Sequence, residues 1–299
     1  MPRVPPWLAA SVPVLAGVGI MATQGAAAAR WAMQLGALAL ALVVHLALRG
    51  PRVVVPERAV PVLASAGVLL VAATLLAGGM DGVHRWLRLG PVQLHASALV
   101  VPALLVFVAR SDPRPVAWQL GLVALQLAHL AQPDAGQATA LLAGVIALAI
   151  VQRPRPADAA ALFALLMITG ATWLRPDPLA PVAFVEDMVP RAFAAGAAVG
   201  ALALAALLLL AAAPFVGGRA GEPAGARRAS WALGGYLAGT IAVAFAGAFP
   251  VPLLGFGASP ILGVFVALAA LERLRRGAAG GAGQRDAKRA PDCGKATPP

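Results

Sequence analysis

Charge is scarce in this 299-residue chain: Asp, Glu, Lys and Arg make up 12% of it, against about 25% in soluble domains. With 60% hydrophobic residues and a mean hydropathy of +0.83, that scarcity excludes an ordinary soluble domain. Cysteine is nearly absent. The single Cys293 lies in the polar C-terminal stretch, so there is no disulfide framework. Lysine is limited to Lys288 and Lys295, and aromatic residues to 5%. The formal net charge of +11 therefore comes from scattered arginines, with no basic face interleaved with aromatics, and nucleic acid is not an expected partner. Period-two alternation is also missing, which argues against a transmembrane barrel. No spacing of His, Cys, Asp and Glu suggests a metal site, and no phosphate-binding glycine loop or serine-nucleophile motif is present.

What is present is a series of apolar runs broken at Pro, Gly and charge clusters such as "RGPRVVVPER", "RSDPRP" and "QRPRPAD". Ten segments emerge: 7–22, 31–48, 59–77, 92–109, 116–131, 138–151, 159–174, 192–216, 231–248 and 253–271. A helix of about 20 apolar residues crosses a bilayer, and somewhat fewer suffice inside a bundle. The expected fold class is all-α, a polytopic membrane helical bundle of about ten transmembrane helices. Glycine and alanine at four-residue spacing suit close helix packing in lipid. The first segment also has a second reading. Arg3, an apolar run and "GAAAAR" together have the form of a cleaved signal peptide.

Arginine placement orients the chain. With the N-terminus inside, only Arg30, Arg85, Arg88, Arg175 and Arg191 face out, and the other 18 of the 23 basic residues face the cytoplasm. Both termini are then cytoplasmic. The expected organisation is a transmembrane domain over 1–276 and a disordered cytoplasmic tail over 277–299, which lacks apolar residues to bury.

This orientation gathers four polar stretches on the outer face: 80–98 ("MDGVHRWLRLGPVQLHASA"), 132–137 ("QPDAGQ"), 175–191 ("RPDPLAPVAFVEDMVPR") and 250–259 ("PVPLLGFGAS"). Ionisable groups near a membrane core are costly and face protein or water, which makes them functional candidates. Plainer roles exist for each. Arg85 and Arg88 can snorkel to lipid phosphates with Trp86 as an interfacial anchor. Asp134 can cap the sixth segment, and "VEDMVPR" can be an acidic helix start with Pro190 in its first turn. His45 and His129, inside apolar segments, suit interhelical hydrogen bonds.

Taken together the four stretches resemble the SEDS family (shape, elongation, division and sporulation; RodA, FtsW and SpoVE types). "RWLRLGP" (85–91) matches that family's Arg-Trp-(Ile/Leu)-x-Leu-Gly-Pro before the fourth span. "QPDAG" (132–136) matches its Gln-Pro-Asp-x-Gly between the fifth and sixth spans. "PVPLLGFGASPILG" (250–263) is a looser form of the loop before its last span. The family's Gln-Pro-Ser-Glu appears here as "HASA" (95–98), keeping Ser97.

The resemblance implies a bacterial cytoplasmic-membrane protein of peptidoglycan synthesis, cell shape or cell division. Family members polymerise lipid II into glycan outside the membrane, usually beside a single-pass transpeptidase (a penicillin-binding protein). Glu186 occupies the position of the family's catalytic aspartate before the eighth span, with Asp187 next to it. In the transfer a sugar hydroxyl attacks an anomeric carbon while a lipid diphosphate departs. A carboxylate can take the hydroxyl proton, and cations can stabilise the departing charge. Glu186 and Asp187 are the catalytic candidates. Arg85, Trp86, Arg88, Ser97, Gln132, Asp134 and Arg191 are the substrate-binding candidates. No protein-held cofactor or metal is expected, though a divalent cation can accompany the diphosphate.

Four departures bear on activity. Ala98 replaces the family's glutamate. The outer loop before the eighth span is only about 17 residues long. "AFAAGAAVG" replaces the Glu-Glu-Leu-Gly after the catalytic position, and the final loop lacks Ser-Tyr and paired glycines. Two readings therefore stand beside a glycosyltransferase. One is a non-catalytic scaffold or lipid-binding relative that partners a cell-wall synthase. The other is a transporter of lipid-linked precursors, for which the inner halves of the segments offer few polar residues.

Overall fold

The computed structural model describes residues 4–50, 59–90, 92–111, 115–218 and 221–289. Its helices are α1 (Pro6–Thr23), α2 (Ala28–Arg49), α3 (Ala59–Ala73), α4 (Ala96–Arg110), α5 (Val116–Ala131), α6 (Ala135–Val151), α7 (Pro156–Trp173), α8 (Met188–Ala195), α9 (Ala197–Ala212), α10 (Ala224–Ala246) and α11 (Ala258–Arg289). Short 3₁₀ turns, Thr74–Leu76 and Ala213–Phe215, extend α3 and α9. By length and composition six helices among the described residues can cross a membrane, and α4, α5 and α6 are shorter apolar helices. The protein is a multi-pass helical membrane protein, in line with the sequence expectation.

Two local expectations need correction. The fourth segment does not begin at 92. Trp86–Leu89 (β1) and Val92–His95 (β2) form an antiparallel hairpin, pairing Trp86 with His95 and Arg88 with Gln93. Gly90, with φ 60°, supplies the left-handed residue of its tight turn. With only four residues per strand, and β2 running straight into an apolar helix, the period-two signal is too short to read. The eighth segment is also not one run. It breaks at Gly196, whose φ of 142° is open to glycine and strained for any other residue. Near the C-terminus, the backbone of α11 continues through the expected boundary at 276 to Arg289. Residues 290–299 of the expected tail lie outside the described residues.

Small residues let the central helices meet. On α10, Gly235 and Gly239 face Ala143, Ala147 and Ala140 of α6, the four-residue spacing anticipated from sequence. A Cβ on Gly263 of α11 would stand 2.2 Å from the Ala98 carbonyl oxygen of α4, and one on Gly17 of α1 would stand 2.1 Å from that of Leu254. Thus α4, α6, α10 and α11 form the centre, with α5 and α7 packed together on one flank and α1, α8 and α9 on another. Lipid offers no hydrophobic drive between helices, so this backbone proximity is what holds them.

Candidate functional site

The four polar stretches converge at one end of the bundle, the outer end under the arginine-based orientation. Arg85, at the start of the hairpin, reaches the second and third stretches: its Nη2 donates to the Pro133 carbonyl and, at 2.6 Å, to Asp177 Oδ2. His95 closes the hairpin and contacts the last helix, where its backbone N–H donates to Ser259 Oγ at 2.9 Å. Val251 and Phe256 donate backbone N–H groups to the carbonyls of Val185 and Phe184, joining the third stretch to the fourth. Arg175 Nη1 donates to the Leu130 carbonyl, fastening the third stretch beside the second.

Asp134 is the centre of the first cluster. Its Oδ1 caps α6 by accepting from the Gln137 N–H at 3.1 Å. Its Oδ2 lies 3.2 Å from His95 Nε2 and 3.9 Å from Arg85 Nε. Burial disfavours the charged carboxylate, but the Arg85 guanidinium and the His95 ring outweigh it and hold the group well below the usual carboxylate range. Below this cluster, Ser97 Oγ sits 3.0 Å from His129 Nε2, and His129 Nδ1 sits 3.3 Å from Gln126 Oε1. Gln126 Nε2 donates onward to Thr169 Oγ1, which makes a buried polar ladder from α4 through α5 to α7. The plain expectation for His129, an interhelical hydrogen bond, describes its contacts.

The second cluster holds the catalytic candidates. Phe184, with φ 66°, sits at the head of a tight turn that Glu186 and Asp187 fasten from within. Glu186 Oε2 accepts from the Val182 N–H at 2.7 Å, and Asp187 Oδ1 accepts from the Phe184 N–H at 2.6 Å. Arg191 Nε donates to Asp187 Oδ2 at 2.5 Å and its guanidinium lies 4.1 Å from the centre of the Phe184 ring. Partial burial raises the Glu186 carboxyl above its ordinary value. The Val182 N–H opposes this, and the charges of Asp187 and Asp177 add to it. Of the two carboxylates, Asp187 has both oxygens engaged, while Glu186 leaves Oε1 outside these contacts.

The remaining candidates separate. Trp86 packs its ring edge-on against His95, centroids 5.8 Å apart, and Arg88 stands exposed on the hairpin. Gln132 is buried and donates to Val71 O and Thr74 Oγ1, tying the loop to the end of α3, so in this arrangement it is a tether. Sequence reasoning passed over His95, which occupies a place where the SEDS pattern differs and was read only as a loss. It also gave Arg30 only a side of the membrane and gave Asp177 no role. Arg30 donates to the Ala183 carbonyl and its guanidinium lies 5.9 Å from the Phe184 ring. Among the described residues, no three His, Cys, Asp or Glu side chains are placed to hold a metal ion.

No protein-family model matches this chain, and no curated protein matches it significantly. Solved structures do. The crystal structure of Thermus thermophilus rod shape determining protein RodA is similar with a TM-score of 0.65, at 20% identity, over 90% of this chain and 95% of that one. The fold is that of RodA. A mutant of the same Thermus thermophilus protein matches with a TM-score of 0.59 at the same identity and coverage. A chain from a structure described as structural coordination of polymerization and crosslinking by a peptidoglycan synthase complex matches with a TM-score of 0.61. Its identity is 20%, over 90% of this chain and 96% of that one. At this identity the likeness speaks for the fold, and the RodA-type fold is what aligns the four polar stretches at one end.

Proposed function

We propose that this protein is a divergent SEDS-type membrane protein of cell-wall synthesis in the bacterial cytoplasmic membrane. In this reading its outer end polymerises a polyprenyl-diphosphate-linked sugar of the lipid II type. One observation carries it: the sequence stretches that resemble SEDS motifs meet at a single end of a RodA-like bundle and bring arginines, carboxylates and a histidine together. Glu186, with its raised proton affinity, takes the proton of the attacking sugar hydroxyl. Asp187 and Arg191 hold the turn that presents it. Arg85 and Arg88 face the diphosphate, Trp86 borders it, and Ser97 and Asp134 set the floor beneath. The likeness to a chain from a peptidoglycan synthase complex supports a synthase partner, for which a single-pass transpeptidase is the fitting kind.

A second reading has its own support. Glu186 and Asp187 already serve as internal fasteners of their turn, as they would in a non-catalytic scaffold that partners a cell-wall synthase. Polymerisation of labelled lipid II by the purified protein, with and without its transpeptidase, separates the two. The expected result is glycan product from wild type and a loss of about 100-fold or more in Glu186→Gln, the size of one acid–base group. No product from a folded, partner-bound wild type would transfer the assignment to the scaffold.

A further inference from the structure

We infer that His95 is a diphosphate-binding imidazole, backed by Asp134, so that the outer site holds a lipid-borne diphosphate when the ring is protonated and loosens it when the ring is neutral. This rests on the polyprenyl-diphosphate reading above. It goes beyond that reading in assigning a role to a residue where the chain departs from the SEDS pattern.

The ring is fixed on every side. Its Nε2 faces Asp134 Oδ2 at 3.2 Å, its ring stands nearly perpendicular to that of Trp86, and its backbone is held to Ser259 at the start of α11. Its Nδ1 accepts the Ala98 N–H of α4 at 3.3 Å, so the neutral ring carries its proton on Nε2, toward the carboxylate. Protonation places a second N–H on Nδ1, where it opposes the Ala98 N–H. The long cap then opens, and two donors are released at the first turn of α4. A helix N-terminus already favours an anion. The ring is also the accessible member of the pair, with its side chain 16% exposed against 5% for Asp134.

The surrounding charges make the site dependent on that proton. Asp134 from the α5–α6 turn and Asp177 from the loop after α7 carry two negative charges around the single positive charge of Arg85. His129 of α5 lies behind Ser97, and Ser259 and Trp86 are uncharged. Among these groups one negative charge is in excess with His95 neutral, and the excess is cancelled with His95 protonated, while Arg88 on the exposed strand adds a cation in either state. A second feature points to an incoming ligand. Arg85 Nε, on a side chain more than nine-tenths buried, makes no hydrogen bond in the resting site. A buried polar atom left in this state is expensive unless something arrives to satisfy it.

The test is binding of farnesyl diphosphate and of inorganic diphosphate to the full-length protein in lipid nanodiscs, from pH 5.5 to pH 8.5. Wild type is expected to bind about tenfold or more weakly at the alkaline end, the size of one charged hydrogen bond. The ligand's own ionisation works in the opposite direction, so the comparison with His95→Gln isolates the ring. That variant is expected to bind weakly at low pH and to lose the decline with rising pH. An unchanged pH slope in His95→Gln, or no binding by wild type at any pH, overturns the inference. Histidine-ring NMR of wild type alone gives a second reading. One of the four imidazoles should titrate at higher pH when farnesyl diphosphate is added, and four unchanged midpoints would overturn the inference even if His95→Gln did not fold. A protein that binds diphosphate with this pH slope but makes no glycan removes the polymerase reading and leaves this one standing. An active polymerase with pH-flat binding does the reverse.

Discussion

Two largely buried arginines at opposite ends of this bundle behave differently. Arg275 of α11 has its side chain 12% exposed and its donors filled by the structure. Nε goes to Glu222, Nη1 to Val216 O at 2.9 Å, and Nη2 to Pro214 O at 2.6 Å and Ser230 Oγ at 3.0 Å. Arg85 is buried to a similar degree, 9% exposed, yet its Nε has no hydrogen bond and its nearest acid on that side stands 3.9 Å away. The first arginine joins the end of α9, the start of α10 and α11 into one unit, and nothing about it asks for a further partner. The second is restrained on one face and open on the other. Burial alone therefore does not separate an architectural charge from a functional one. The degree to which its donors are satisfied does.

That contrast can be broken experimentally, and the largest effect belongs to the saturated end. Arg275→Ala leaves the largely buried Glu222 without its cation and is expected to cost about 3 kcal/mol, seen as a large fall in thermal midpoint in detergent. A midpoint close to wild type would mean that the Arg275 network is ornamental. Next comes Gly263→Ala, whose new methyl meets the Ala98 carbonyl at the α4–α11 crossing. The forced separation should cost about 1–3 kcal/mol. It should also weaken diphosphate binding, because His95 is tied to Ser259 across the same crossing. Unchanged binding in a destabilised protein would show that the hairpin is positioned without α11.

The smallest effect is one of pH. Because Asp134 is held below its ordinary value, its contribution to stability is present above the unfolded value of about 3.9 and is lost as pH falls below it. Thermal midpoints measured at pH 7 and pH 3.5 should therefore differ less in Asp134→Asn than in wild type. An equal difference in both would place the acid sensitivity elsewhere. Glu186 has the opposite sign. Its raised proton affinity means that activity depending on its ionised form should rise with pH above the usual carboxylate range.

Much of the fold was legible because lipid imposes few choices. A backbone in hydrocarbon must satisfy its own hydrogen bonds, so apolar runs between arginine clusters become helices. Small residues at four-residue spacing could be read as packing faces in general, and Gly235 and Gly239 form one such face. The β1–β2 hairpin could not, since four-residue strands that end in a helix leave no periodic trace. The site was legible in part. Motif resemblance singled out Arg85, Asp134 and Ser97, and the place before α8 singled out Glu186 and Asp187. The structure brings Arg85 to Asp134 and fastens Glu186 and Asp187 into one turn. Gln132 was singled out by the same resemblance, and its contacts with Val71 and Thr74 at the end of α3 were not legible in the sequence. His95 was missed because a motif comparison records a substitution as an absence. Only the 3.2 Å approach to Asp134 shows what the substituted residue meets.

The sequence by itself determined that this is a multi-pass helical protein, which residues interrupt its apolar runs, and, through arginine bias, which of them are expected outside. These properties follow from transfer free energies and local spacing, which are additive along the chain. The tertiary structure alone decided that stretches 80–98, 132–137, 175–191 and 250–259 meet. It also decided that Arg275 is filled while Arg85 is not, and that His95 and Asp134 form a pair. Those facts depend on contacts between residues tens to more than a hundred positions apart, set by which glycines let which helices touch, and no local pattern encodes them.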